Sequence, residues 1–252
     1  MLGALLVVVE VGFAVFAPAI APYEPNKMDY RSPLTGPSAE HPLGTDELGR
    51  DILTRTMYGA RLSLTVGIVA VLLAVAVGVP FGLIAGYLGG YVDEVLMRVV
   101  DSVMALPPLV LALTIAAVLG SGLVNATVAI AIVAAPTYTR LVRGQVLSIR
   151  HNDYVVAAHC IGAPVWLILV RHILPNTFSP IIVQASLGIG FAIILESSLS
   201  FIGLGAQPPT PSWGNMVQVG FQFLELAPWF ALVPASAIFL AVLGFNMLGD
   251  GL

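Results

Sequence analysis

This 252-residue chain is short of charge, lysine and cysteine. Charged side chains make up 10% of it, against about 25% in an ordinary soluble domain. With 58% hydrophobic residues and a mean hydropathy of +0.96, that shortage excludes a water-soluble globule and points to a lipid bilayer. The net charge of −4 gives no basis for nucleic-acid binding. Cys160 stands alone, which excludes an intrachain disulfide and a cysteine metal cluster. Lys27, in EPNKMD, is the sole lysine, and no glycine-rich loop surrounds it. A Walker A site needs both, so the chain cannot hold ATP and its magnesium by that means. No Ser/His/Asp order or pair of buried carboxylates points to a catalytic site, and the four histidines do not fall in a metal-ligand pattern.

What is abundant is apolar sequence in long runs. Crossing the hydrocarbon core takes about 20 apolar residues as a helix. Six segments meet that expectation: Met1–Ala21, Leu62–Gly86, Val103–Leu119, Leu123–Leu141, Phe178–Leu195 and Trp229–Leu248. Runs such as LTVGIVAVLLAVAVGVPFGLIAG lack the alternation of a membrane barrel, so the fold class is all-α and polytopic. Pro80, Pro136 and Pro234 fall within spans, where neighbouring helices re-satisfy the freed carbonyls. The first segment is read as a retained span rather than a cleaved leader, because no Lys or Arg precedes it and Pro22 follows Ala21 at the best cut. The chain starts and stops directly on apolar runs, so flanking tails are expected to have been trimmed. One transmembrane domain, residues 1–252, is expected: a first span at 1–21, a polar segment at 22–61, and a five-span core at 62–248 that includes a loop at 143–176. The two sets of loops carry five Lys/Arg each, so the positive-inside count does not orient the chain.

The loop contains NDYVVAAHCIGAPVWLILVRHILPN, Asn152 to Asn176. Asn152 or Asp153 can cap a helix N-terminus. Gly162 suits a left-handed C′ position, and Pro164 beyond it stops continuation. Tyr154–Ile161 therefore reads as a short helix, and Pro164 opens a second one that stops near Ile173, before Pro175. Eight residues do not hold a helix in water by themselves, so packing must hold this one. Two readings stay open on physics alone: a docking helix offered to a soluble partner, or an interfacial hairpin that only connects spans.

The same stretch resembles the signature loop of binding-protein-dependent ABC importer permeases, in which Ala-Ala, Gly and Leu-Pro recur at fixed spacing. Ala157, Ala158, Gly162, Leu174 and Pro175 match, while Val156 stands where the pattern prefers Glu. HPLGTDELGRDILTRTMYGARLSL (His41–Leu64) and LSFIGLGAQPPTPSWGNMV (Leu199–Val217) are similar to the dipeptide/oligopeptide/nickel subfamily, C-type subunit. The resemblance implies six helices of the type I importer kind and a cytoplasmic coupling loop. It names Asp153, Tyr154, Val156, Ala157, Ala158, Gly162, Arg171, Leu174 and Pro175 as the loop's working residues. It also implies a second homologous permease chain, two ATPase subunits or domains that bind ATP and Mg, an extracytoplasmic substrate-binding protein, and a bacterial cytoplasmic membrane with both termini inside. The cargo it implies is di- or oligopeptide, with nickel or another small solute as the alternative. A self-contained secondary transporter is the more distant reading, and no internal repeat between the halves favours it.

Polar residues within spans mark pathways or helix contacts. Glu196, Ser197, Gln184 and Asn125 are the candidates for a translocation path, with Glu10 and Asn246 also in spans. Asp46/Arg50 and Asp51/Arg55 at i,i+4 predict a solvent-exposed amphipathic helix over Asp46–Arg61, which either receives the external binding protein or caps the bundle. Trp213 and Trp229 read as interfacial anchors.

Overall fold

A computed structural model describes residues 2–251, and among these the chain is helical with no β-strand. The helices are α1 (Leu2–Ile20), α2 (Ile52–Leu88), α3 (Gly90–Met104), α4 (Pro108–Leu119), α5 (Leu123–Ile149), α6 (Asp153–Cys160), α7 (Val165–Ile168), α8 (Phe178–Phe201), α9 (Trp213–Phe221) and α10 (Pro228–Asp250). Four stretches are long and apolar enough to cross a bilayer: α1, α2, Val165–Phe201 and α10. The first of these is a helix, as expected of a span.

The expected third span is not one rod. It breaks at Ala105–Pro107, and α3 meets α4 at 91°. Pro107 and Pro108 lack amide donors, and each disfavours helical geometry in the residue before it. The twelve residues of α4 span only about 18 Å at 1.5 Å per residue. The fourth expected span, α5, is 27 residues long but carries Asn125, Tyr138 and Arg140, and is less apolar than the other spans.

Glycine sets the closest seam. Gly78, Gly82 and Gly86 recur every four residues along one face of α2 and let α5 lie against its backbone. A Cβ at Gly82 would sit 2.6 Å from the Thr139 carbonyl oxygen, and one at Gly86 would sit 2.7 Å from Val146 Cβ. Without a hydrophobic drive between helices in lipid, this close approach supplies dispersion contact. Tyr138, Ile130, Val71 and Leu199 fill the central core.

The start of α1 packs on the end of α10, since a Cβ at Gly3 would meet Met247 at 2.6 Å. Both described ends of the chain therefore lie at one end of the bundle, the end where α2 and α5 also finish.

The expected amphipathic helix over Asp46–Arg61 is corrected by the structure. Residues 45–51 form a tight turn closed by a bridge between Thr45 and Asp51, and α2 begins only at Ile52. Asp51 is the N-cap: its carboxylate accepts from the Thr54 amide at 2.8 Å and pairs with His41 Nδ1 at 2.9 Å. Arg50 pairs with Asp46 at 2.6 Å, but within a turn, and Arg55 reaches Asp46 at 3.5 Å rather than Asp51. All four side chains are buried, not solvent-exposed. Sequence spacing cannot distinguish an i,i+4 helix pair from a carboxylate that closes its own turn.

Candidate functional site

The loop between α5 and α8 forms from its local chemistry much as its residues dictate. Asn152 takes the N-cap backbone conformation, though its side chain makes no capping bond. α6 then runs from Asp153 to Cys160, one residue earlier at each end than the expected Tyr154–Ile161. Gly162 lies at φ +79°, the Gly162 amide donates to the His159 carbonyl, and the Ala163 amide donates to the Ala158 carbonyl at 3.1 Å. This is the paired 6→1 and 5→2 closure of a Schellman cap. Nothing lies within 4 Å of a Cβ built on Gly162, so the demand for glycine there is conformational and not steric.

The expected stop before Pro175 does not occur. After Pro164, α7 passes into a wide π turn at Leu169–Ile173 and a 3-10 turn at Leu174–Thr177, then runs on into α8. Pro175 has no amide to donate and its ring crowds the carbonyl of the preceding turn. Widening to an i→i+5 pattern, with the Leu174 amide donating to the Leu169 carbonyl, keeps the rod continuous. Leu174 and Pro175 thus open a 3-10 turn within a rod that leads from the loop into a membrane helix, and Arg171 stands exposed on its side.

α6 has two faces. Val155 and Ala158 are buried in a cluster with Val79 and Leu83 of α2, Val142 and Val146 of α5, and Ile168 and Ile173 of the following rod. A fully buried valine contributes about 1.5–3 kcal/mol, which serves to fasten so short a helix. The other face, with Asp153, Tyr154, Val156, Ala157 and Ile161, points away from the chain. Tyr154 is 43% exposed, Val156 46% and Ile161 84%, and Trp166 of α7 is exposed as well. The carboxylate that the motif prefers at position 156 is an exposed valine here, so this patch meets its surroundings through apolar contact.

Two charge clamps hold the neighbouring elements. Arg143 of α5 grips Asp93 of α3 with both guanidinium arms, and Arg140 reaches Asp101 at 2.7 Å. Arg150 donates to the Gly86 carbonyl at 3.0 Å, tying the end of α5 to the end of α2. The sequence reading passed over these pairs. The i,i+3 spacing of Arg140 and Arg143 on one helix face was the available signal.

The four path candidates are not brought together. Gln184 lines a cavity of about 360 Å³ between the α3–α4 elbow and α5/α8, with Met104, Leu106, Thr137, Tyr138 and Phe191. Ser197 lines a separate groove with Leu109, Phe201 and Val217. Asn125 turns back on the end of α4, donating to the Leu119 and Gly120 carbonyls at 2.8 and 3.0 Å. Glu196 is fully buried between α2 and α8, where it accepts from Ser63 at 2.8 Å and Ser200 at 2.7 Å. Tyr138, absent from the sequence-based set, lies in the wall of the same cavity as Gln184. Trp213 is likewise not an exposed anchor. It is buried, donating to the Thr56 carbonyl at 2.9 Å.

A close-packed apolar helical bundle carrying a short loop helix is the fold of a type I importer membrane subunit. The inward-facing MetNI methionine ABC transporter shares it, with a TM-score of 0.62 at 18% identity over 76% of this chain and 91% of that one. Residues 78–252 match the family of binding-protein-dependent transport system inner membrane components, and the chain belongs to that family. It is 47% identical, along its full length and 83% of the relative's, to the dipeptide transport system permease protein DppC of Alkalihalophilus pseudofirmus. It is 49% identical, over its full length and 84% of the relative's, to the glutathione transport system permease protein GsiD of Shigella flexneri.

Proposed function

We propose that this chain is the membrane permease subunit of an ATP-driven importer of short peptides, moved by separate ATPase subunits through the loop at 152–176. The observation that carries the reading is the outward apolar face of α6 on a rod continuous with α8. A push on Tyr154, Val156 and Ala157 travels through the π turn and Pro175 into a helix whose other side lines a cavity. No phosphate loop accompanies that lever, so ATP and Mg belong to the partners. A second, homologous permease chain faces the open side of the cavity, and an extracytoplasmic binding protein delivers cargo at the other end. In this reading the chain lies in a bacterial cytoplasmic membrane, with α6 and both termini inside. The peptide class rests on the dipeptide and glutathione relatives, both of which carry cargo with peptide bonds.

Within the path, Gln184 and Ser197 are the wall residues, Asn125 caps α4, and Glu196 pins α8 to α2. Glu196→Leu leaves the Ser63 and Ser200 hydroxyls without their acceptor. It is expected to lower stability by about 1–3 kcal/mol while the KM for peptide uptake stays unchanged. A raised KM at full stability would return Glu196 to the path.

Cys160, the sole cysteine and exposed on α6, gives a direct test. A membrane-impermeant maleimide should label it in inside-out vesicles holding the chain alone, and binding of the ATPase subunits should suppress that labelling. Labelling from outside intact cells would reverse the topology and end the coupling role.

A further inference from the structure

A second cavity, of about 390 Å³, lies between α1, α2, α9 and α10, remote from α6 and from the Gln184 cavity. Its walls are apolar, formed by Leu53, Met57, Ala60, Trp213, Val233 and Ala237 among others, with exposed Phe13, Ser236 and Leu240 at its rim. Four polar groups face it or support it. The Trp213 indole N–H donates to the Thr56 carbonyl, and the Ser236 hydroxyl donates to the Leu232 carbonyl. The other two are buried without a hydrogen-bond partner among the described residues: Glu10 Oε2 and Thr56 Oγ1. Glu10 is 8% exposed and sits halfway along α1, where no water of the bilayer interior can serve it.

An acid at this depth is costly unless it meets a donor or an opposite charge. The apolar walls ask for a hydrocarbon tail, the carboxylate asks for a donor with positive charge, and the Thr56 hydroxyl can accept a further N–H. We infer that this cavity is a binding site for a single-chain amphiphile bearing a primary ammonium group, held by Glu10 and Thr56 and entering past Phe13 and Leu240. The ammonium carries three donors and a positive charge, which suits a buried carboxylate with a hydroxyl in the same lining. A fatty alcohol offers one donor and no charge, and a quaternary ammonium offers charge with no donor. An occupant of this kind joins α1, the helix at the edge of the bundle, to α2 through a charge-assisted contact.

The test uses the assembled transporter in lipid nanodiscs and a diazirine-bearing decylamine as photoprobe, with adducts mapped by mass spectrometry. Adducts are expected on α1, α2 and α10 beside this cavity. Unlabelled decylamine should compete at concentrations about tenfold lower than decanol or decyltrimethylammonium, the discrimination expected of a charge-assisted hydrogen bond. Glu10→Gln should cut specific labelling to a similar degree, and Thr56→Val should cut it less. Should the Glu10 variant fail to assemble, the competition order in the unaltered protein together with Thr56→Val decides. Equal competition by decanol would reduce the site to apolar partitioning and overturn the inference. So would unchanged labelling in Glu10→Gln, or labelling of the isolated chain but not of the assembled transporter, which would give the cavity to a neighbouring subunit's basic side chain.

Discussion

Two of the segments outside the long helices are built in opposite ways. Residues 22–51 are stitched to themselves by charge. Asp46 accepts from the Leu48 and Arg50 amides and pairs with Arg50 and Arg55, while Asp51 caps α2 and holds His41. Arg55 also reaches back to the Pro25 carbonyl at 2.9 Å. The segment between α5 and α8 has no such knot. α6 is held by Val155 and Ala158 alone on its inner side and leaves Tyr154, Val156 and Ile161 uncovered. A segment that pairs its buried arginines with its own carboxylates is closed by its own contacts. The other keeps an apolar face outward, and that contrast separates a closed segment from an open one.

Substitutions at three positions would break or sharpen the contrast. The largest effect is expected from Asp46→Ala, which leaves Arg50 and Arg55 buried without their shared carboxylate. Removing one partner of a buried ion pair costs about 3–5 kcal/mol, so thermal unfolding of the detergent-purified protein should move sharply downward. An unaltered melting temperature would mean that the knot holds nothing. Next comes Gly162→Val, where a residue with Cβ is forced into left-handed backbone at about 1–2 kcal/mol. Peptide uptake into proteoliposomes should fall by about tenfold or more, with membrane insertion intact. Gly162→Asn, which tolerates that conformation, should retain most of the uptake. Equal uptake by the two variants would separate the cap from coupling.

The smallest effect concerns Asp29, whose carboxyl lies below its ordinary pKa because the Arg31 amide and the Ser32 hydroxyl donate to its charged form. A lowered pKa in the folded state gives stability that is present above the unfolded value, about 3.9, and is lost as pH falls through the folded one. The protection of the Arg31 and Ser32 amides, relative to their intrinsic exchange rates at each pH, should therefore fall on acidification, and Asp29→Asn should flatten that response. Glu47 has the opposite sign. Burial, with Asp46 beside it, raises its carboxyl, so its contribution is present at low pH and is lost as pH rises through the raised value.

Much of this was legible before any coordinates. Composition alone fixed the solvent as lipid, since 10% charge cannot cover a water-soluble surface. The Gly162–Pro164 punctuation placed α6 to within one residue, because a helix stop is written in local backbone preference. Local preference failed where distant atoms compete. Pro175 reads as a terminator, yet the following helix captures the chain through a π turn. The Asp46–Arg55 charges read as an exposed helix, yet His41 and Pro25 draw them into a buried knot. Nor can local reading find the partner of Glu196, since Ser63 lies 133 positions away.

The sequence by itself determined that the chain is a helical membrane protein without a phosphate loop, and where its short loop helix begins and ends. These follow from transfer of side chains into lipid and from dihedral preferences of neighbouring residues. Tertiary structure alone decided which face of that helix is covered, which polar residues line a cavity, and that Glu10 and Thr56 open onto the same one. Those are questions of contact between residues far apart in the chain, and only packing answers them.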